Sequence, residues 1–408
     1  MGSQRSNFDV IVIGAGPTGS WTARSFAKAG LSTALFEEHA EVGAPVHCTG
    51  VVGYDFLQKF PHVQPVVWRA VEQFKVFSPE GNSFDLPNVA AYVLNRRALD
   101  QLLADNAQSE GAELHLNHKA IAVDQHQDKV RVTASVNGEE AIYESKIVVL
   151  ATGSTSHLPK RSTLAEPPQF IRGVQVEVEI ENLSSVELYL GGHVAPGSFA
   201  WAVPTRENIA KTGLITLGNA RIYLDKLFDS PFLKGRMKRM VGKPLVSRIP
   251  LGPSPNSANH RVFAVGDAAG QVKTTTGGGI YYGMLGAEEL VTTALSGYRE
   301  KEFSLSLLRN YHAGWRKKLG LELQAGLYIR RIFEKIEDKD INRLIRLFEK
   351  RELRELVGKH ANFDRHRDLI FALTKVPDIR AIMIDLVKRN FSIQNIFSGF
   401  RTVSQPSS

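Results

Sequence analysis

Three clusters of residues in this chain carry chemistry by type and spacing. Near the N-terminus, Gly14, Gly16 and Gly19 stand in the run GAGPTG, and Glu37 ends the apolar stretch that follows. The first glycine permits a tight bend, the second lets the backbone approach a pyrophosphate, and the third lets the next helix pack on its sheet. Free N–H groups at that helix start face the phosphates, and Glu37 is placed to accept from the adenosine ribose hydroxyls. These residues predict a dinucleotide site. Further along, Ala151-Thr152-Gly153 follows the apolar run Val148 to Leu150, and Gly266-Asp267 follows Val262 to Val265. Asp267 is positioned to bind a ribityl hydroxyl, which a nicotinamide dinucleotide lacks, so the expected cofactor is FAD. Gly277, Gly278 and Gly279 then open a helix whose amides can face the flavin pyrimidine ring, which is anionic when reduced.

The remaining cluster is the loop PVHCTG, with His47 and Cys48. Saturating an alkene with reduced FAD takes a hydride equivalent from N5 and a proton for the other carbon. A thiol at the flavin can give that proton, gate access or sense oxidation, and an imidazole can shuttle it. Cys48 and His47 are therefore the candidate catalytic residues, with Tyr281 and Tyr282 behind the triple glycine as further acids. The competing reading is that a lone cysteine is an inert packing residue and His47 a structural imidazole.

The elements that must position these groups are legible by period. Phe8 to Ile13 reads as a buried strand, Pro17 to about Lys28 as a helix stopped by Gly30, and Ser32 to Phe36 as the next strand. In the middle of the chain, Val174, Val176, Val178 and Ile180 alternate with polar residues, which predicts a half-buried strand. Phe199, Trp201 and Val203 share one face of another strand, and Ile209 to Leu217 reads as its partner. An antiparallel sheet results, and its aromatic face would wall an apolar cavity for a hydrophobic ligand. From about Glu302 the chain is helical, with Leu305, Leu308, Tyr311, Trp315 and Leu319 on one side.

At 408 residues the chain exceeds the usual size of one core, and two intimately packed lobes are expected. With 43% hydrophobic and 23% charged residues it is neither disordered nor fibrous. No run reaches the roughly 18 apolar residues of a membrane span. The single cysteine excludes an internal disulfide and a multi-cysteine metal site, so a soluble cytoplasmic protein without a metal centre is expected. The net charge of +8 lies in the last quarter, where 22 Lys or Arg face 13 Asp or Glu from Lys301 onward. Arg316, Lys317, Lys318, Arg330 and Arg331 are expected either to meet a phosphate-bearing head group or a membrane surface, or to be solvated helix faces. No nucleic-acid partner is expected.

Five segments together resemble the geranylgeranyl reductase family, within the flavoproteins of para-hydroxybenzoate hydroxylase fold. They are GAGPTG with Glu37, EVGAPVHCTG at Glu41 to Gly50, NRRALDQLLADNAQSEGAEL at Asn95 to Leu114, PGSFAWAVP at Pro196 to Pro204, and VGDAAGQVKTTTGGGIYYG at Val265 to Gly283. The resemblance implies an α/β protein in which a Rossmann-like FAD-binding domain is interleaved with an antiparallel-sheet substrate domain and followed by a helical region. Its expected parts are the FAD domain at 1–70, 95–165 and 251–300, substrate strands at 71–94 and 166–250, and helices at 301–408. Arg96 matches an arginine that helps hold FAD, and Phe199, Trp201, Val203 and Tyr281 would meet the substrate. The implied activity is reduction of isoprenoid double bonds, with NADPH or another donor supplying electrons. Three departures stand out. Phe199 and Val203 replace the tyrosine and phenylalanine of the family's aromatic strand, Cys48-Thr49-Gly50 replaces Cys-Gly-Glu, and Lys273-Thr274 replaces Lys-Pro. Two other functions share the fold: a flavin monooxygenase or halogenase, and a non-catalytic prenyl-binding protein.

Overall fold

The first strand, Asn7–Ile13, is buried on both faces, as a parallel strand covered by helices requires. The computed structural model describes residues 6–158, 162 and 164–390. The ends of the first and last expected segments and a short piece near 160 lie outside those residues. Asn7–Ile13 pairs in parallel with Thr33–Phe36 on one side and with Glu139–Leu150 on the other. Glu113–His115 extends the first edge and Val262–Ala264 the second, both in parallel. The strand order reverses beside Asn7–Ile13, which opens a crevice at the C-terminal strand ends where a doubly wound sheet binds its ligand. Gly14, Ala151 and Val265 each follow one of these strands into that crevice.

A second sheet of seven strands runs in the order Met237–Leu251, Gln169–Ile180, Ile209–Thr216, Phe199–Arg206, Val186–Leu190, Phe74–Phe77 and Ser83–Leu86. All pairings are antiparallel except Val186–Leu190 with Phe74–Phe77. The alternation read from the sequence sorts its faces. Val174, Val176, Val178, Ala200 and Ala202 pack with the helix Ala220–Phe228 on one side. Trp201, Val203, Ile215 and Phe74 gather on the other, which faces the crevice. Of the expected 71–94 strands, Phe74–Phe77 and Ser83–Leu86 join this sheet. Ala91–Leu94 instead pairs with Val51–Gly53 and Val67–Val71 in a small sheet of its own.

The helix Leu305–Phe333 spans 29 residues, about 43 Å at 1.5 Å per residue. Its first half is bound to the nucleotide-binding lobe. Leu308, Tyr311, Trp315 and Leu319 are buried there, the Tyr311 hydroxyl donates to Ala264 O (2.7 Å), and Trp315 Nε1 donates to Ser257 Oγ (3.0 Å). Leu305, expected on this stripe, is 60% exposed because it is the first helical residue and precedes the packed turns. The far end reaches the crevice with Ile329, Arg330 and Phe333. Three of the five basic residues singled out in this region have partners within the fold. Arg330 is buried and donates to Glu334 and Gly197 O, Arg316 donates to Ser254 O, and Lys318 pairs with Glu289. No described helix is long and apolar enough to cross a membrane.

Candidate active site

The glycine turn divides its labour among three positions. Gly14 has φ of 105°, and a Cβ there would fall 2.5 Å from Ala151 O; a Cβ on Gly19 would fall 1.9 Å from Gly14 O. These two glycines let strand, turn and helix close on one another. Gly16 differs, because a Cβ there would meet nothing within 4 Å. The protein itself has no steric need of glycine at that point; a pyrophosphate approaching the backbone does. Glu37 is buried and ties the turn to the end of the second strand. Its Oε2 accepts from Ala15 N–H (3.1 Å), and its Oε1 accepts from His39 N–H (3.1 Å) with His39 Nδ1 at 2.6 Å.

Opposite the turn, Asn95 caps the helix Arg96–Ser109 by accepting from Ala98 N–H, which sets Arg96 at its first position. Arg96 forks onto Asp100 at 2.9 and 3.0 Å and contacts the Cys48 side chain. Burial works against the charge on Arg96, but Asp100 and Cys48 more than offset it and hold its pKa above the usual arginine range. Burial likewise raises the Asp100 carboxyl, with Arg96 opposing. Asp267 follows the strand Val262–Ala264 at the crevice, and burial pushes its pKa up to about 6 against the pull of Arg96. Gly277, Gly278 and Gly279 stand beside it; a Cβ on Gly279 would fall 2.7 Å from Asp267 Oδ1.

One cavity of about 1220 Å³ joins all of this to the second sheet. It is larger than the roughly 300–1000 Å³ of an ordinary small-molecule site. Gly14, Gly16, Glu37, Arg96, Gly153, Gly266, Asp267 and the triple glycine line one part, and Phe199, Trp201 and Val203 the other, with His47 and Cys48 between them. Three expected site residues are not on its wall. Gly19 acts from behind, through the helix packing just described. Tyr281 turns the other way, because its ring packs edge-on against Phe56 and Phe60, and burial pushes its pKa up to about 12. Tyr282 is buried too, its hydroxyl donating to Asp364 O.

The cysteine loop is bolted to the substrate sheet by residues that carried no motif. Lys211 is buried, and its Nζ donates to Cys48 O (3.1 Å) and Thr49 O (3.2 Å), while Thr49 Oγ1 donates to Gln175 Oε1 (2.9 Å). Burial lowers the Lys211 pKa. A lysine inside the apolar strand Ile209–Thr216 was the one available signal for this role. His47 is exposed at the rim, and its pKa is lowered by partial desolvation of its ring and then by His39. Away from the loop, Leu188, Ile341, Ile345 and Phe348 continue the apolar wall, with Phe84 stacked on Phe348 at 4.6 Å. The helix Asp338–Leu347 supplies part of that wall, and no sequence pattern pointed to it.

The residues fit FAD. Space is kept open at Gly16, the carboxylates of Glu37 and Asp267 line the same cavity, and the hydroxyls of Thr152 and Thr276 are buried on its wall without a partner among the described residues. The doubly wound sheet, this cradle and the apolar chamber joined to it define an FAD-dependent oxidoreductase. Residues 8–182 match the pyridine nucleotide-disulphide oxidoreductase family. The chain is 30% identical over 360 residues to the digeranylgeranylglycerophospholipid reductase of Methanocaldococcus jannaschii, covering 83% of this chain and 89% of that one. It belongs to that reductase family. Among solved structures, a geranylgeranyl bacteriochlorophyll reductase-like protein of Thermoplasma acidophilum superposes with a TM-score of 0.82 at 21% identity, over 94% of this chain and all (100%) of the other. The p-nitrophenol 4-monooxygenase of Pseudomonas putida DLL-E4 superposes at 0.65 and 18% identity, over 95% and 99%. Both share the fold.

Proposed function

We propose that this protein saturates carbon–carbon double bonds in the isoprenoid tail of a prenyl lipid. The observation that carries this reading is the single cavity in which an FAD cradle opens onto an apolar chamber walled by Trp201, Val203, Leu188, Ile345 and Phe348. The names of the archaeal relatives point to the same substrate class. Reduced FAD, when bound, supplies the hydride equivalent. The chain's own work is to exclude water, to lay an unactivated double bond beside the ring by burying the rest of the tail, and to bring a proton to the other carbon. Cys48 is our candidate for that proton, since its loop stands between cradle and chamber and is fixed by Lys211 and Thr49. His47, at the rim, is the second candidate. NADPH or another donor would reduce the flavin, and the head group would remain near the surface, where a peripheral contact with membrane lipid would deliver the substrate.

The test is anaerobic incubation of dithionite-reduced protein with a geranylgeranyl lipid, read by mass spectrometry. A gain of two hydrogens per double bond is expected. Absence of hydrogenation there, together with substrate-dependent oxygen consumption in a separate aerobic assay without dithionite, would instead assign the monooxygenase function seen among proteins of this fold. Cys48→Ser should retain FAD while slowing hydrogenation about tenfold to hundredfold; full activity would reduce Cys48 to a packing role.

A further inference from the structure

Outside the cradle, the most deeply buried ionic group on the cavity wall is Lys273. It is 5% exposed and its partner Asp364 is 1% exposed. Lys273 begins the loop that carries the triple glycine: its N–H donates to Gly278 O (3.0 Å), and its own carbonyl accepts from Gly277 N–H (2.8 Å). The side chain folds back along the run it closes. A Cβ on Gly278 would fall 2.8 Å from Lys273 Cε and 3.4 Å from Nζ, so the ammonium lies against the glycine backbone.

The other direct contacts of the ammonium come from the segment joining the helices Arg351–His360 and Arg367–Thr374. Nζ donates to Phe363 O (2.8 Å), stands 3.3 Å from Asp364 Oδ1 and sits 4.3 Å over the Phe363 ring. Asp364 is itself anchored by Tyr282, whose hydroxyl donates to its carbonyl, and by Asn362, which accepts from its N–H. His366 meets Thr275 on the same loop at 2.6 Å. Burial works against the charge on Lys273, and Asp364, then Glu322, oppose that loss. A cation placed so deeply, with a carboxylate recruited from a distant part of the chain to keep it, is costly as a mere loop fastener; a hydrogen-bonding neutral side chain would hold Phe363 O without that cost.

Reduction of a flavin can place negative charge on the pyrimidine side of its ring, the side expected to face the amides of Gly278 and Gly279; the Gly277 N–H, expected there too, is taken by Lys273 O. The ammonium lies against this run, where solvent screens it little, and Asp364 at 3.3 Å offsets part of its field. We propose that Lys273, positioned by Asp364 and Phe363, raises the reduction potential of the bound flavin by favouring the anionic reduced ring through the glycine run. This inference rests on flavin occupancy alone and not on the identity of the substrate, so failure of the prenyl-reductase reading would leave it standing.

The midpoint potential of the FAD-loaded protein, measured anaerobically against a reference dye, separates charge from hydrogen bonding. Lys273→Gln keeps a donor for Phe363 O and loses the charge; the two-electron reduction equilibrium should fall about tenfold, a potential about 30 mV lower. Lys273→Arg keeps the charge and should stay within about threefold of native, roughly 15 mV. A native potential in Lys273→Gln, or an equal fall in both variants, would overturn the proposal, because either result means that the residue only fastens the loop. Should Lys273→Gln fail to retain FAD, Lys273→Met is the second neutral variant, read against the same limits.

Discussion

The two halves of the cavity are built by opposite means. The FAD cradle is made of backbone: three strand ends converge on it, and its side chains are few, polar and tied to main-chain groups, as Glu37 is tied to Ala15. The chamber is made of apolar side chains contributed by the seven-stranded sheet and by helices far along the chain, such as Ile345 and Phe348. A backbone cradle tolerates almost no change at its turn and accepts one ligand geometry. A side-chain wall accepts any residue of similar volume, so it can be reshaped without disturbing the cradle.

The largest effects should come from the glycine turn, and they should split in kind. Gly16→Val puts its Cβ into open space on an extended backbone (φ −70°), so the cofactor-free protein should keep its thermal stability within about 1 kcal/mol. FAD affinity should nevertheless fall at least about a hundredfold, since the valine occupies the approach of the pyrophosphate. Gly19→Ala drives a methyl into Gly14 O and should cost about 3 kcal/mol of folding free energy before any cofactor is added. Equal thermal melts for the two cofactor-free variants would break the division of labour between these glycines.

This contrast also explains what could be read from the sequence. Gly14, Gly16, Glu37, Gly153 and Asp267 are visible because a phosphate-binding turn and a strand-ending carboxylate demand particular residue types at fixed spacing. The aromatic face of Phe199–Arg206 was legible from alternation, because a period of two puts Trp201 and Val203 on one side. Ile341, Ile345 and Phe348 were not legible as a substrate wall, since apolar residues on a helix announce only a buried face and not what that face is buried against. Lys211 and Asp364 were missed for a related reason: each is a single charge whose meaning depends on a partner far away, at Cys48 and at Lys273. Tyr281 was misplaced because adjacent tyrosines on a helix diverge in direction, and the side chain rotated toward Phe56 and Phe60 rather than the cavity.

The chamber should respond more gently than the turn, and in a different observable. Trp201→Ala removes most of an aromatic side chain that is 9% exposed, part of it facing the cavity. Losing about 2 kcal/mol of apolar contact would raise the KM for a long prenyl substrate about thirtyfold, while the rate of flavin reduction by dithionite stays native. Unchanged KM would detach the aromatic strand from substrate binding and make Trp201 a core residue only. A parallel loss of FAD would show that cradle and chamber are not separable.

The smallest effect returns to the cradle and concerns Asp267. Burial holds its pKa at about 6 in the cofactor-free protein, above the value of about 3.8 for an unburied carboxyl. The protonated form is therefore favoured by the fold, and the stability associated with it is present below pH 4 and lost as pH rises through 6. A ribityl hydroxyl donating to this side chain favours the ionised form, so FAD binding and protonation compete. Above pH 6 the carboxylate is ready and affinity should be flat. Below it, each unit of pH should weaken FAD by up to about tenfold, giving a loss of about tenfold at pH 5, measurable by flavin fluorescence. Asp267→Asn should bind FAD more weakly at neutral pH and abolish this slope, since no proton remains to be displaced. A slope that survives in Asp267→Asn would assign the titration to another group in the cavity and separate Asp267 from the ribityl chain.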